Sequence, residues 1–247
     1  MNALSVIRAL GPIDARSIRR DSYLGWVLFL PLGIAALVRW GVPWLTEWLA
    51  VAHDFDLTPY HMLITSYAVV LMVPLLLGQI LGFLLLDERD DDTLTALLVT
   101  PLPLEGYLAY RIGLPLLSGM LLSVLAVILT GLVELPFSLL VPIALLYALE
   151  TPILTLLMAS VCENKVQGFA LIKAVGAAPL LAAAAYFLDE PWQYAAGLIP
   201  TYWPLKAFWL ASEGSTAACW GVIAVGLAAH VALLAVLLRR FDRVLHR

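Results

Sequence analysis

Six apolar runs, at positions 23–38, 62–86, 112–133, 139–161, 168–188 and 217–238, leave this chain little choice but a bundle of membrane-crossing helices. Each approaches or exceeds the roughly 17 to 25 residues that a helix needs to cross the hydrocarbon of a bilayer. Lipid offers the backbone no hydrogen-bonding partner, so a crossing segment is either a helix or part of a closed barrel. These runs lack period-two alternation and outlast barrel strands, which leaves an all-α integral membrane fold with six transmembrane helices. Composition agrees: hydrophobic residues make up 62% and charged residues 13% of the chain. Its mean hydropathy of +0.94 lies far from the balance of a soluble domain.

The placement of Lys and Arg, rather than the net charge of -4, sets the orientation. With the amino terminus inside, Arg8, Arg16, Arg19, Arg20, Arg89, Arg111, Lys165, Lys173, Arg239, Arg240, Arg243 and Arg247 fall on or near the cytoplasmic side. Only Arg39 and Lys206 fall outside, so both termini are expected in the cytoplasm. Residues 1–22 carry four arginines and no continuous apolar core, so they do not read as a cleaved signal, and the first span serves for insertion. Cys162 and Cys219 fall near opposite faces in this topology, too far apart for a disulfide, and are expected to pack.

The whole chain, 1–247, reads as one transmembrane domain without a soluble domain, a low-complexity linker or an internal repeat. Within 1–22, Leu4, Ile7, Leu10, Ile13 and Ile18 form an apolar stripe against the arginines, interrupted at Gly11-Pro12, which predicts an amphipathic helix on the inner membrane surface. Outside, Trp40, Trp44 and Trp48 predict a short helix at the headgroup level. The segment 189–215 holds Trp192, Tyr194, Tyr202, Trp203, Phe208 and Trp209, broken by three prolines, and predicts short interfacial or re-entrant helices. Gly78 and Gly82, and Ala174, Ala178 and Ala182, have a spacing that permits close helix contact, within the chain or at a dimer seam.

Enzyme signatures are missing. His53, His61, His230 and His246 form no metal-binding pair, and no Gly-x-Ser-x-Gly elbow occurs. The run Asp87, Glu88, Asp90, Asp91, Asp92 reads as a solvated acidic loop. No phosphate-cradling Gly-x-x-x-x-Gly-Lys-Ser/Thr loop exists, so any work driven by ATP needs a partner chain. The acidic loop also crowds negative charge at a helix start, where the dipole favours it, and Leu94, Leu97 and Leu98 then give an apolar face before Pro101 and Pro103 stop the helix. A capped, one-faced helix of this kind suits a groove on another protein.

The sequence of this loop, 87–103, resembles a known family. Glu88-Arg89, Thr93-Leu94, Leu97-Leu98 and Thr100-Pro101-Leu102 look like the loop that follows the second span in type-two ATP-binding-cassette exporter permeases. The number of spans, the inner amphipathic helix and the outer segment fit that family along the whole chain. Arg20-Asp21 and the stretch Glu163-Asn164-Lys165-Val166-Gln167-Gly168 are similar to small permeases of the drug or fluoroquinolone export kind. Asp92 departs from the pattern, where the family has Gly, and its side chain can cap the helix.

The resemblance implies a homodimer that carries two separate cytoplasmic ATPase subunits, in the inner membrane of a prokaryote. ATP and Mg would sit on the partner, with no cofactor in this chain and no nucleic acid partner. It further implies that Glu88, Arg89, Thr93, Leu94, Leu97, Leu98 and Pro101 couple to the ATPase, with Glu163, Asn164 and Lys165 as a second inner contact. The apolar walls suit a hydrophobic or amphipathic substrate, drug or lipid-like, moved outward. An intramembrane enzyme using Glu150 or the acidic loop, and a non-transporting scaffold, are the competing readings.

Three polar residues lie within the apolar runs: Gln79, Glu150 and Lys173. At a 1.5 Å rise per residue, Glu150 is about 16 Å and Lys173 about 12 Å from the inner end. Both charges are costly in lipid and are expected to pair with each other, with contact to substrate as the alternative, and Gln79 is expected to bond between helices.

Overall fold

The computed structural model describes residues 11–12, 16, 22–90 and 104–245. Those residues contain no strand, and six of their helical segments are long and apolar enough to cross a membrane. By length and composition these are Phe29–His53, Thr58–Arg89, Ala109–Thr130, Phe137–Val161, Lys165–Phe187 and Thr216–Arg243. The chain alternates between two ends of the bundle. One, the charged end, holds Asp87 to Arg89, the 162–164 turn and Arg239 to Arg243; the other, the tryptophan-rich end, holds Trp44, Trp48, Trp192 and Trp203. The segment 91–103 and most of 1–21 lie outside the described residues, so the coupling loop and the amphipathic amino-terminal helix are not part of this description. Gly11 and Pro12, read above as a break, are helical.

The second and fourth spans form the centre and are buried along most of their length, while the first, third, fifth and sixth each keep an exposed face. The central seam depends on two glycines. A Cβ at Gly78 would stand 2.9 Å from Leu154 Cβ and 3.0 Å from the Thr151 carbonyl oxygen, and one at Gly82 would overlap the Met158 thioether. Backbone therefore meets side chain directly. Thr155 Oγ1 donates to the Gly78 carbonyl at 3.2 Å and Thr151 Oγ1 to that of Pro74 at 3.4 Å. Of the two readings of these glycines, contact within one chain is the one seen.

On one side of the seam the first span packs through Ala35 against Val69, Val73, Leu77 and Ala126. On the other, the sixth brings Leu237 and Phe241 to Leu85, Tyr110, Ile153 and Leu156 near the charged end. The largest core lies towards the tryptophan-rich end, where Tyr147, Tyr202, Leu205, Phe208 and Trp209 are almost fully buried.

Three prolines stand where a span divides or changes its helical form, and each removes the N–H that would bond to the carbonyl four residues earlier. Pro152 leaves Ala148 without its donor, and the fourth span divides into Phe137–Ala148 and Glu150–Val161. Pro179 does the same to Val175, and the fifth span breaks at Gly176. In the second span Pro74 frees the Val70 carbonyl at the end of a π-helical segment, Ile64–Val70.

The first helix is longer than expected. It runs unbroken from Ser22 to His53, with Trp40, Trp44 and Trp48 on it rather than on a separate short helix. At 32 residues it is about 48 Å long, well beyond a hydrocarbon layer of about 30 Å. Arg39 shows where it leaves the bundle, since its Nη1 donates to the Leu129 carbonyl at 2.9 Å, at the end of the third span. The apolar window Phe29–His53 contains that arginine. The contact favours a crossing portion that ends near Arg39, with the tryptophans beyond it. Gly131, which ends the third span at φ 61°, makes this contact possible, because a Cβ there would stand 2.9 Å from Arg39 Nη1.

The segment after the fifth span forms a 3-10 turn, Trp192–Leu198, and a helix, Tyr202–Ser212. That helix is not a surface element: Tyr202, Leu205, Phe208 and Trp209 enter the main core.

Candidate functional site

The charged end brings together residues far apart in sequence. Glu88 and Arg89 lie in the last turn of the helix Met72–Asp90; Thr93, Leu94, Leu97, Leu98 and Pro101 lie outside the described residues. Arg111, on the third span, forms an ion pair with Glu88, and its own side chain is only 4% exposed. Arg89 turns the other way and donates through Nη1 to the Cys162 carbonyl at 3.1 Å. Asp87 pairs with Lys165 at 2.9 Å. The end of the second span is thus tied to the third span and to the turn between the fourth and fifth.

That turn has its own internal order. Asn164 caps the fifth span by accepting from the Gln167 backbone N–H at 3.0 Å, while Gln167 Oε1 accepts from the Glu163 N–H at 2.8 Å. This reciprocal arrangement satisfies two otherwise orphaned donors. Its stretch Glu163-Asn164-Lys165 therefore stands beside Asp87 and Arg89, fixed in shape. The strengths differ: the Asp87–Lys165 pair is more than a third exposed and screened by solvent, whereas Arg111 is buried and its pair with Glu88 is the stronger constraint. Burial also raises the pKa of the neighbouring Cys162 thiol, which keeps it protonated and unreactive.

Within the membrane the expected pairing is corrected. Glu150, 5% exposed, does not meet Lys173; its Oε1 lies 3.0 Å from Nε2 of the fully buried His230 on the sixth span. Lys173 stands on the exposed face of the fifth span, and among the described residues it pairs with no carboxylate. Gln79 is half-buried, with no hydrogen bond to the described residues. Rise per residue fixes the depth of a side chain but not the side of the helix on which it projects, and here the two charges project apart.

Towards the tryptophan-rich end, the π-helical segment makes a polar junction. Its Ser66 carbonyl accepts from the Leu71 N–H and from the Tyr147 hydroxyl at 3.2 Å. Ser66 Oγ accepts from the Trp209 indole N–H at 3.0 Å. Nearby, Lys206 is 5% exposed and donates to Glu190 and Gln193 at 2.6 and 2.7 Å. The sequence places Lys206 on the outer side without indicating its partners, and it does not single out Arg111, His230, Tyr147 or Ser66 as site residues. His230 within the last apolar run and Arg111 at the edge of the third were the available signals. Among the described residues no group of His, Cys, Asp and Glu could hold a metal ion.

A six-span helical bundle whose charged end ties the second span to the third and to a second short turn is that of a multi-pass membrane protein. Residues 14–238 match the family described as fluoroquinolones export permease protein Rv2686c-like, and the chain belongs to that family. It is 34% identical over 241 residues to the fluoroquinolones export permease protein MT2760 of Mycobacterium tuberculosis strain CDC 1551 / Oshkosh, covering 95% of this chain and 93% of the relative. The same values hold for the fluoroquinolones export permease protein Rv2686c of strain ATCC 25618 / H37Rv. No solved structure matches the chain significantly. The resemblance to an ATP-binding-cassette exporter permease thus extends to the family, whose name is that of an export permease.

Proposed function

We propose that this chain, as a homodimer, forms the membrane pathway of an ATP-driven exporter whose two ATPase subunits are separate cytoplasmic chains. The knot at the charged end carries this reading. Glu88 and Arg89 anchor the start of the 91–103 segment to the third span and to the 162–164 turn, so a push on that segment reaches the central spans without slack. In this reading Leu94, Leu97 and Leu98 enter a groove on the ATPase, Thr93 and Pro101 bound the helix, and Glu163, Asn164 and Lys165 add a second contact. ATP and Mg bind the partner. The charged end faces the cytoplasm, and the spans switch a central path between inward- and outward-open states.

The substrate is hydrophobic or amphipathic, in keeping with the apolar walls, and the relatives' names make a fluoroquinolone the first compound to try. The deciding experiment is co-purification in nanodiscs with the ATPase encoded nearest to this chain's gene, followed by ATP turnover with intact and Leu97→Asp chains. A stable complex whose turnover falls at least about tenfold with Leu97→Asp, while the bundle stays folded, is the expected result. A complex indifferent to Leu97, or no complex, overturns it.

A further inference from the structure

The pair between the fourth and sixth spans has a property that the transport reading leaves unused. We propose that Glu150 and His230 form a proton-binding site that latches the sixth span to the fourth near the middle of the membrane.

Counting hydrogens leads there. His230 Nδ1 lies 2.7 Å from the Gly226 carbonyl oxygen, which can only accept, so Nδ1 carries a hydrogen. Nε2 lies 3.0 Å from Glu150 Oε1, a separation at which one proton must stand between the two atoms. That proton rests on nitrogen or on oxygen, and either way the couple has no net charge. If it leaves to water, a carboxylate faces an imidazole lone pair, two acceptors in contact where Glu150 is 5% and His230 0% exposed. Such a contact opens. The closed latch therefore contains one bound proton.

Its position makes the latch consequential. Glu150 begins the second half of the fourth span, directly after the break at Leu149. The Gly226 carbonyl that orients the imidazole belongs to the residue at which the outer helix seats: a Cβ there would stand 2.8 Å from Trp203 Cβ and 2.9 Å from Leu146 Cδ2. Break, latch and seat are consecutive along one line of contact.

The surrounding ionisable groups among the described residues are already engaged. Tyr147, one turn before Glu150, gives its hydroxyl to the Ser66 carbonyl. Arg111 of the third span pairs with Glu88, as does Lys206 of the outer helix with Glu190. Asp87 and Arg89 of the second span lie at the charged end with the partners named above, its Tyr67 packs against the main core, and Lys173 of the fifth faces outward.

The test uses the full chain in phospholipid nanodiscs, without any ATPase, so its outcome is independent of the exporter reading. Nitrogen-15 spectra of the histidines from about pH 5 to about pH 9, with His230 assigned by His230→Gln, should show Nδ1 protonated throughout and a single step at Nε2. In Glu150→Gln the amide N–H donates to Nε2 at every pH, and the step should vanish. Backbone amides of 226–234, corrected for intrinsic rates, should exchange at least about tenfold faster above the step in the native chain, and not in the variant. A flat His230 titration, or a step that survives Glu150→Gln, overturns the shared proton. Exchange indifferent to the step overturns the latch. Should Glu150→Gln not fold, the native titration and exchange decide by the same criteria.

Discussion

Gly78 and Gly82 fix the distance between the two central spans, and their replacement should be felt at once. Gly78→Val places a branched side chain where even a Cβ meets Leu154 and the Thr151 carbonyl, and should cost about 1–3 kcal/mol, read as a lower unfolding temperature in detergent. Gly33→Ala is the control: nothing lies within 4 Å of its Cβ position, and stability should hold or rise slightly. Cys162 makes a second test. Burial holds its thiol neutral, so alkylation at mildly basic pH should be far slower than for an exposed cysteine placed at Val161. Because its folded pKa is raised, the associated stability is present below the ordinary thiol range and fades as pH climbs through the folded value. At this scale the sequence was legible in depth and illegible in direction. Glu150 was recognisable as a buried charge in need of a partner, but His230 is 80 residues away, and only packing decides which side of a helix meets which.

Elements were easier to foresee than their ends. The runs foretold all six spans, because lipid demands long apolar helices whatever the packing. Prolines alone do not mark the breaks: Pro31 and Pro43 lie inside one continuous helix while Pro152 and Pro179 accompany divisions. The difference lies in what surrounds the freed carbonyl, which no single stretch of sequence records. Among contacts between elements, the Glu88–Arg111 pair is the one to break. Glu88→Gln deprives a buried guanidinium of its carboxylate and should cost about 2–4 kcal/mol, short of a fully buried pair because Glu88 keeps some exposure. Combining it with Arg111→Met should destabilise less than the two single changes added together, as measured by a double-mutant cycle of unfolding in detergent.

For the whole molecule, the asymmetry of Lys and Arg predicts the charged end in the cytoplasm. A fluorescent protein fused after Arg247 should fold and emit, whereas a periplasm-dependent reporter at the same point should stay silent; the reverse pattern would invert the bundle. The residues expected to couple were legible as a motif, and the 163–165 stretch as a second inner contact, but the bond that joins the two, from Arg89 to the Cys162 carbonyl 73 residues away, became apparent only with the fold. The glycine seam has one more consequence. With backbone pressed against side chain at Gly78 and Gly82, and Thr151 and Thr155 hooked over the opposing carbonyls, the second span and the charged-end half of the fourth behave as one stiff beam. The polar junction at Ser66 ties the far end of that beam to Tyr147 and Trp209, so in the exporter proposed above a thrust at Asp87 to Arg89 would turn it as a lever about a fixed fulcrum.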